Sequence, residues 1–436
     1  MVVEAEAGRP ATDGPGEARA WREVATLGVS QIVGYGTLYY AFALLAPAMA
    51  ADFGWPDAWM FGARSAALLA GGLLAPWTGR WIDRFGAGRV MTAGSLAAAL
   101  ALAGCAFAPS GPAFVAGLIA IEMAATLVQY GAAFPLCVQR HGARAQRSIV
   151  HLTLIAGFAS TLFWPLTTWL AGLLDWRQVY LVFAAMNLLV CLPIHAALSR
   201  PLARPLAARP PIEGSLADSR RGTGEIAAAV VEAPAGGLLP ADRRGRGFAL
   251  MAAGFAFQSF VGSAVLVHML PMLGALGLGL AGVAVGTLFG PSQVASRLIN
   301  MLFGRGLSQL TLAVVSAAAL PAALLLLLAS APSFPGAMVF AVVFGMGHGL
   351  YSIVGGTLPL ALFGARGYGA RQGRIMAVRL VVGAAAPFAF ALAMDRLGAP
   401  GALALTAFCG ALAVVAFAAI GGLLPRRRPD EPAAAE

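Results

Sequence analysis

Residues Gly79 to Arg89 read GRWIDRFGAGR and sit between two long apolar runs, about 58–78 and 89–108. Runs of that kind read as membrane helices, so the stretch is expected to be a tight turn at a bilayer surface. Its arginines and its single acid, Asp83, favour water. A turn this short needs backbone freedom, and Gly79 and Gly86 supply it.

The rest of the chain agrees with a bilayer. With 59% hydrophobic residues, 11% charged residues and a mean hydropathy of +0.79, a soluble 436-residue domain would leave most of its surface apolar. Crossing about 30 Å of hydrocarbon takes roughly 20 apolar residues, because a helix satisfies its own backbone groups there. Twelve runs of that length are predicted, at about 24–50, 58–78, 89–108, 112–137, 148–173, 177–198, 248–272, 280–304, 308–330, 334–363, 373–394 and 400–424. None shows the ten-residue alternation of a membrane barrel.

All 29 basic residues are arginine. Of these, 24 fall in the tails and in loops on one side; Arg177 and Arg396 lie in loops on the other, and Arg64, Arg297 and Arg379 lie within spans. By the positive-inside rule both termini are cytoplasmic. The +10 net charge is then topological and gives no support to nucleic-acid binding. Cys105, Cys137, Cys191 and Cys409 lie in apolar runs without paired spacing, so neither disulfides nor a metal site is expected. No GxxxxGK[ST] phosphate loop, nucleophile–base pair or cofactor motif occurs, which argues against an enzyme or direct ATP drive.

The predicted organisation is a disordered cytoplasmic tail over 1–22, a first bundle over 23–199, a linker over 200–247, a second bundle over 248–424 and a cytoplasmic tail over 425–436. Residues 1–20 carry four acids and do not resemble a secretory signal. The linker is rich in Arg, Ala, Pro and Gly and has too little apolar pattern to pack. The bundles repeat each other. GAAFPL at 131–136 recurs as GGTLPL at 355–360, LLAPAMA at 44–50 as HMLPMLG at 268–274, and Gly157 as Gly383, at shifts of 224 to 226 residues. Gly79-Arg80 maps in the same way onto Gly304-Arg305, but Asp83 falls opposite Ser308. Two parallel six-helix units around a cavity form a device for alternating access.

GRWIDRFGAGR resembles the signature loop of the major facilitator superfamily through Gly79, Asp83, Arg84, Phe85, Gly86 and Arg89, and the six-plus-six plan covers nearly the whole chain. The resemblance implies an all-α membrane protein of 12 transmembrane helices in two six-helix bundles. It also implies a conformational latch formed by Gly79, Asp83, Arg84, Gly86 and Arg89 against the start of span eleven, near Arg374. A charge-fixing role for the stretch is the plainer alternative. Two patterns frequent in the superfamily are missing: the fourth span has Glu122 in IEMAATLVQYG where many members carry an arginine, and the fifth reads AGFASTLFWPLT without a GPxxGG-like run.

Ionisable residues inside spans point to substrate, since each costs about 2.5 to 3.5 kcal/mol to insert. Arg297 and Arg379, both in the second half, lie about six residues from the end of their spans, some 9 Å deep. They either hold an anion or snorkel to the surface. A span-eight arginine with a basic residue in span eleven also resembles, more weakly, the monocarboxylate and oxalate/formate branches, although Gln293 stands where an acid is frequent. Arg64 is expected to snorkel. Glu122, the one acid deep in a span, is a candidate proton carrier, a protonated hydrogen-bond donor, or the partner of an arginine. His348, Gln31, Tyr35, Gln258 and Gln129 complete the candidate cavity lining, with Tyr39 and Tyr40 expected as interface anchors.

The function expected from these features is proton-coupled secondary transport of a small organic anion such as a carboxylate, by a monomer in the inner (plasma) membrane. The partners are the substrate, protons and the bilayer. The alternatives are proton-driven efflux of a neutral or amphipathic compound and a non-transporting membrane receptor.

Overall fold

The computed structural model describes residues 15–200, 237–279 and 281–425. Most of the expected linker and both expected tails, apart from 15–22 and 425, lie outside them. The described residues are helical almost throughout. The first half runs α1 (Pro15–Tyr35), a π turn (Gly36–Tyr40), α2 (Ala41–Phe53), α3 (Asp57–Phe85), α4 (Ala87–Ala106), α5 (Gly111–Val128), α6 (Tyr130–His141), α7 (Ala145–Ala156), α8 (Ala159–Ala171), α9 (Trp176–Met186) and, after a second π turn, α10 (Leu192–Leu198). The second half runs α11 (Arg244–Ala275), α12 (Ala281–Thr287), α13 (Phe289–Phe303), α14 (Gln309–Ser330), α15 (Phe334–Phe363) and α16 (Tyr368–Gly421).

Local chemistry sets these boundaries. Asp175 caps α9 in a reciprocal box with Gln178, and Ser308 and Ser333 accept the Thr311 and Gly336 amides at the starts of α14 and α15. Gly54 closes α2 in the left-handed conformation, with φ 64°. Among the described residues, eight helical stretches are long and apolar enough to cross a membrane. Two of them, Gly111–Ala171 and Tyr368–Gly421, hold 61 and 54 residues, more than two crossings' worth at 1.5 Å per residue. Each turns back at a glycine of positive φ, Gly142 (53°) and Gly398 (68°).

Three expectations are corrected. The first helix begins at Pro15, so residues 15–22 are not part of a disordered tail; Arg19 pairs with Glu23 one turn on, at 3.2 Å. The expected turn over 79–89 shrinks to Gly86 (φ 89°, ψ 140°), because α3 continues as a helix to Phe85. Gly79 is therefore a helical residue, and its lack of a side chain serves packing. The expected linker end is ordered as well: Leu238 and Leu239 donate their amides to the Ala361 and Leu362 carbonyls, closing the end of α15.

Each half has its own apolar core. One cluster joins α1, α4, α6 and α7 through Leu27, Met91, Phe134 and Ile149, and it also takes in Leu360 and Tyr368 from the second half. The halves therefore share a core at one end of the molecule. That end carries the beginning of α1, tied by Glu23 to Arg140, and the end of α16, where Arg243 donates to the Leu423 carbonyl. There α3 packs on α16, α6 on α16, and α7 on α13 and α15, whereas α2 and α8 pack within the first half. The halves are thus joined at the end that carries the start of α1 and the close of α16.

Candidate functional site

The seal is built by the signature stretch. Asp83, in the last turn of α3, accepts the Gly369 amide at 2.9 Å on Oδ1 and the Ala370 amide at 2.8 Å on Oδ2. Both amides belong to the first turn of α16, where unpaired N–H groups and the helix dipole favour a carboxylate. The partner is this backbone, and Arg374 instead lies over the Phe248 ring. A Cβ on Gly79 would meet the Gly369 carbonyl, and one on Gly373 the Ala75 carbonyl, so two glycines allow the helices to touch. Arg84 stands over Phe85 at 5.1 Å, and Arg89 is exposed. Ser308, in the equivalent position of the repeat, caps its own helix, so only the first half makes this contact.

Behind the seal, α13 and α16 present the two span arginines. Arg297 is 7% exposed; its Nη1 donates to the Thr153 carbonyl of α7 at 3.0 Å and its Nε to the Gly349 carbonyl of α15 at 3.3 Å. The Thr153 bond ties the first half to the second, and the two together rule out snorkelling in this conformation. Gly157 leaves room for its Nη1, and Gly355 leaves room for that of Arg379. Arg379 stands 4.2 Å from the centre of the Tyr351 ring and 3.8 Å from the Met376 sulfur. Among the described residues neither guanidinium is in an ion pair with a carboxylate. Arg379 and His348 both meet the Tyr351 ring, at 4.2 and 5.7 Å, and Gly349, whose carbonyl accepts from Arg297, follows His348 in α15, so the two arginines come to the same stretch of that helix. The His348 ring lies between Phe289 and Tyr351, at 5.6 and 5.7 Å.

The remaining acid is paired. Glu122, 4% exposed, lies 2.8 Å from Arg64 Nη1, and Gly71 on α3 gives its side chain space. Arg64 also stands over Tyr39 and Phe42, at 5.7 and 5.6 Å. The expectation that it snorkels is corrected: it is 8% exposed and held by an acid, two rings and the Leu38 carbonyl. One acid and one arginine within spans of the same half were a usable signal for this pair.

Two amides fall away from the cavity. Gln31 is 1% exposed and donates to the Val128 carbonyl at 2.7 Å; Gln258 is 1% exposed and donates to Ser316 at 2.8 Å. Gln31 has a specific task. The chain breaks between α5 and α6 at Gln129 (ψ −165°), the Ala132 amide turns to the Gln129 carbonyl, and the Val128 carbonyl is left for Gln31. Gln129, Glu122, Thr126, Thr78, Gly373 and Met376 line a narrow void of about 20 Å³ at the seam between the halves. The π turn at Gly36–Tyr40 was not foreseen; it rotates Tyr39 and Tyr40 into contact with Arg64 and Trp164.

Two helical bundles, sealed against each other at one end and enclosing a charged, aromatic space, define a multi-pass membrane protein built for transport. The profile of the Major Facilitator Superfamily matches residues 27–389, and the chain belongs to that family. Among solved structures, the human organic anion transporter MFSD10 aligns with a TM-score of 0.68 at 15% identity, over 91% of this chain and 99% of its own. The transporter FucP in its outward conformation aligns with a TM-score of 0.67 at 13% identity, over 91% and 98%. The proton:xylose symporter XylE aligns with a TM-score of 0.65 at 11% identity, over 91% and 95%. No curated protein sequence matches.

Proposed function

We propose that the chain is a proton-coupled secondary transporter of a small organic anion such as a carboxylate. In this reading a monomer crosses the inner (plasma) membrane twelve times, with both termini cytoplasmic. The first bundle spans 23–199 and the second 248–424. The fold is shared with an anion transporter and with a sugar symporter, so it selects no substrate. The observation that carries the proposal is the pair Arg297 and Arg379, two span guanidiniums that meet the same stretch of α15 without a carboxylate partner among the described residues. A low-dielectric cavity with two such groups attracts an anion, and a carboxylate matches a guanidinium in two parallel hydrogen bonds.

Binding and movement are linked through Arg297. An arriving carboxylate competes with the Thr153 carbonyl for its Nη1, loosening a tie between α7 and α13. The Asp83 contact then remains as the cytoplasmic latch, with Gly79 and Gly86 setting its geometry and Arg84 and Arg89 facing the lipid headgroups. Glu122 is the coupling acid: on taking a proton it releases Arg64, and access changes with the pair broken. His348, Tyr35 and Gln129 line the path, and Gln31 and Gln258 hold the helices that form it.

Uptake of carboxylates into proteoliposomes tests the site. Arg297→Ala and Arg379→Ala are each expected to reduce anion uptake to background while the protein remains inserted. Uptake unaltered by both substitutions would refute the anion site.

A further inference from the structure

The first half carries a ladder of rings. The Tyr130 and Tyr35 centroids are 4.7 Å apart, Tyr35 and Tyr39 6.4 Å, Tyr39 and Tyr40 5.1 Å, and Tyr40 and Trp164 6.4 Å. Three separate stretches of chain contribute: the break before α6 places Tyr130, the π turn places Tyr39 and Tyr40, and α8 places Trp164. The Tyr39 and Tyr40 rings meet edge-on within the π turn.

The ladder ends beside Arg379: a Cβ on Gly131, next to Tyr130, would lie 3.5 Å from the Met376 side chain, whose sulfur is 3.8 Å from Arg379 Nη1. At its outer end, Trp164 is 53% exposed and lines an open hollow of about 680 Å³. An exposed tryptophan in a membrane protein is ordinarily a belt residue against lipid. This one also meets Tyr40 edge-on, at 6.4 Å, and its hollow is a mostly apolar one, formed with Leu44, Pro165 and Trp169 and edged by Ser160, Thr161 and Thr168.

Resting on the anion reading given above, we propose that the transported anion is an aromatic carboxylate. Its carboxylate sits on Arg297 and Arg379, and its ring lies against Tyr35, Tyr40 and Trp164. A ring on this ladder gains quadrupolar contact that an aliphatic group of equal size does not, about two- to twelvefold in affinity per ring pair.

Benzoate and cyclohexanecarboxylate separate the possibilities, because they match in charge and nearly in size but only one is aromatic. Binding of each to the purified full-length protein in lipid nanodiscs is measured by calorimetry. Benzoate is expected to bind several-fold tighter. Trp164→Leu is expected to remove about two- to twelvefold of that advantage, and Trp164→Phe to restore most of it. Trp164 is exposed, so neither substitution disturbs a packed core. Equal affinities for the two acids, or a benzoate advantage that survives Trp164→Leu, overturn the aromatic inference and leave the anion site standing. Binding of neither acid, or binding that persists in Arg297→Ala and Arg379→Ala, overturns the anion reading beneath it.

Discussion

Replacing Asp83 by Asn tests the latch through a change of one atom. Asp83 accepts two backbone amides, at 2.9 and 2.8 Å, on the first turn of α16. Asn retains one carbonyl oxygen and turns an NH₂ group towards the second amide, so one bond is lost and two donors face each other. The negative charge at the positive end of a helix is lost as well. A lost cap of this type costs about 0.5–2 kcal/mol and a surface charge–dipole contact about 0.3–1 kcal/mol. Asp83 is exposed, and water screens the site, so the combined effect is set at about 1–2 kcal/mol against the sealed state. That corresponds to a roughly 5- to 30-fold rise in the unsealed population. The reporter is Met376→Cys, at the seam void, in a chain whose four native cysteines have been replaced. An impermeant thiol reagent applied from the side of the chain ends is expected to label it about 5 to 30 times faster when Asp83→Asn is present. An unchanged rate in correctly inserted protein would leave the stretch with a charge-fixing role alone.

Gly79→Ala is expected to lower transport to background with the protein still in the membrane, because the new methyl meets the Gly369 carbonyl and neither backbone can yield; membrane level and uptake are measured together. Glu122→Gln is expected to abolish stimulation by a pH gradient while sparing anion exchange at equal pH. Parallel loss of both would make the Arg64 pair structural. His195→Ala removes a buried ring whose nitrogens meet Ser95 at 2.7 Å and Ser30 at 2.9 Å. It is expected to destabilise the first half by about 2–4 kcal/mol, read as a lower thermal midpoint in detergent.

Hydropathy made most of the helical segments legible, because a spanning helix must satisfy its backbone internally and therefore advertises itself along the chain. Helix α3 and the α12–α13 segment carry that signal less evenly: the first holds Arg64 within its apolar stretch and Arg80, Asp83 and Arg84 at its end, and the second is broken and carries Arg297. Asp83, Glu122, Arg297 and Arg379 were legible as charges needing justification, but their partners were not. Arg64 and Glu122 are 58 residues apart in sequence and meet only when α3 packs on α5. At Gly79 the sequence does not separate a turn from a helix contact, because a glycine beside charges has the same signature whether it frees the backbone or admits a neighbouring helix. The π turn at Gly36–Tyr40 left no periodic trace, and with it the aromatic ladder stayed hidden.

The most direct test of the function is uptake by the purified protein in liposomes, across a panel of organic anions, organic cations and neutral solutes, with and without an imposed pH gradient. The expected result is uptake confined to carboxylates, stimulated by the gradient and lost in Arg297→Ala. Uptake of cations or neutral solutes with no carboxylate transported would contradict it.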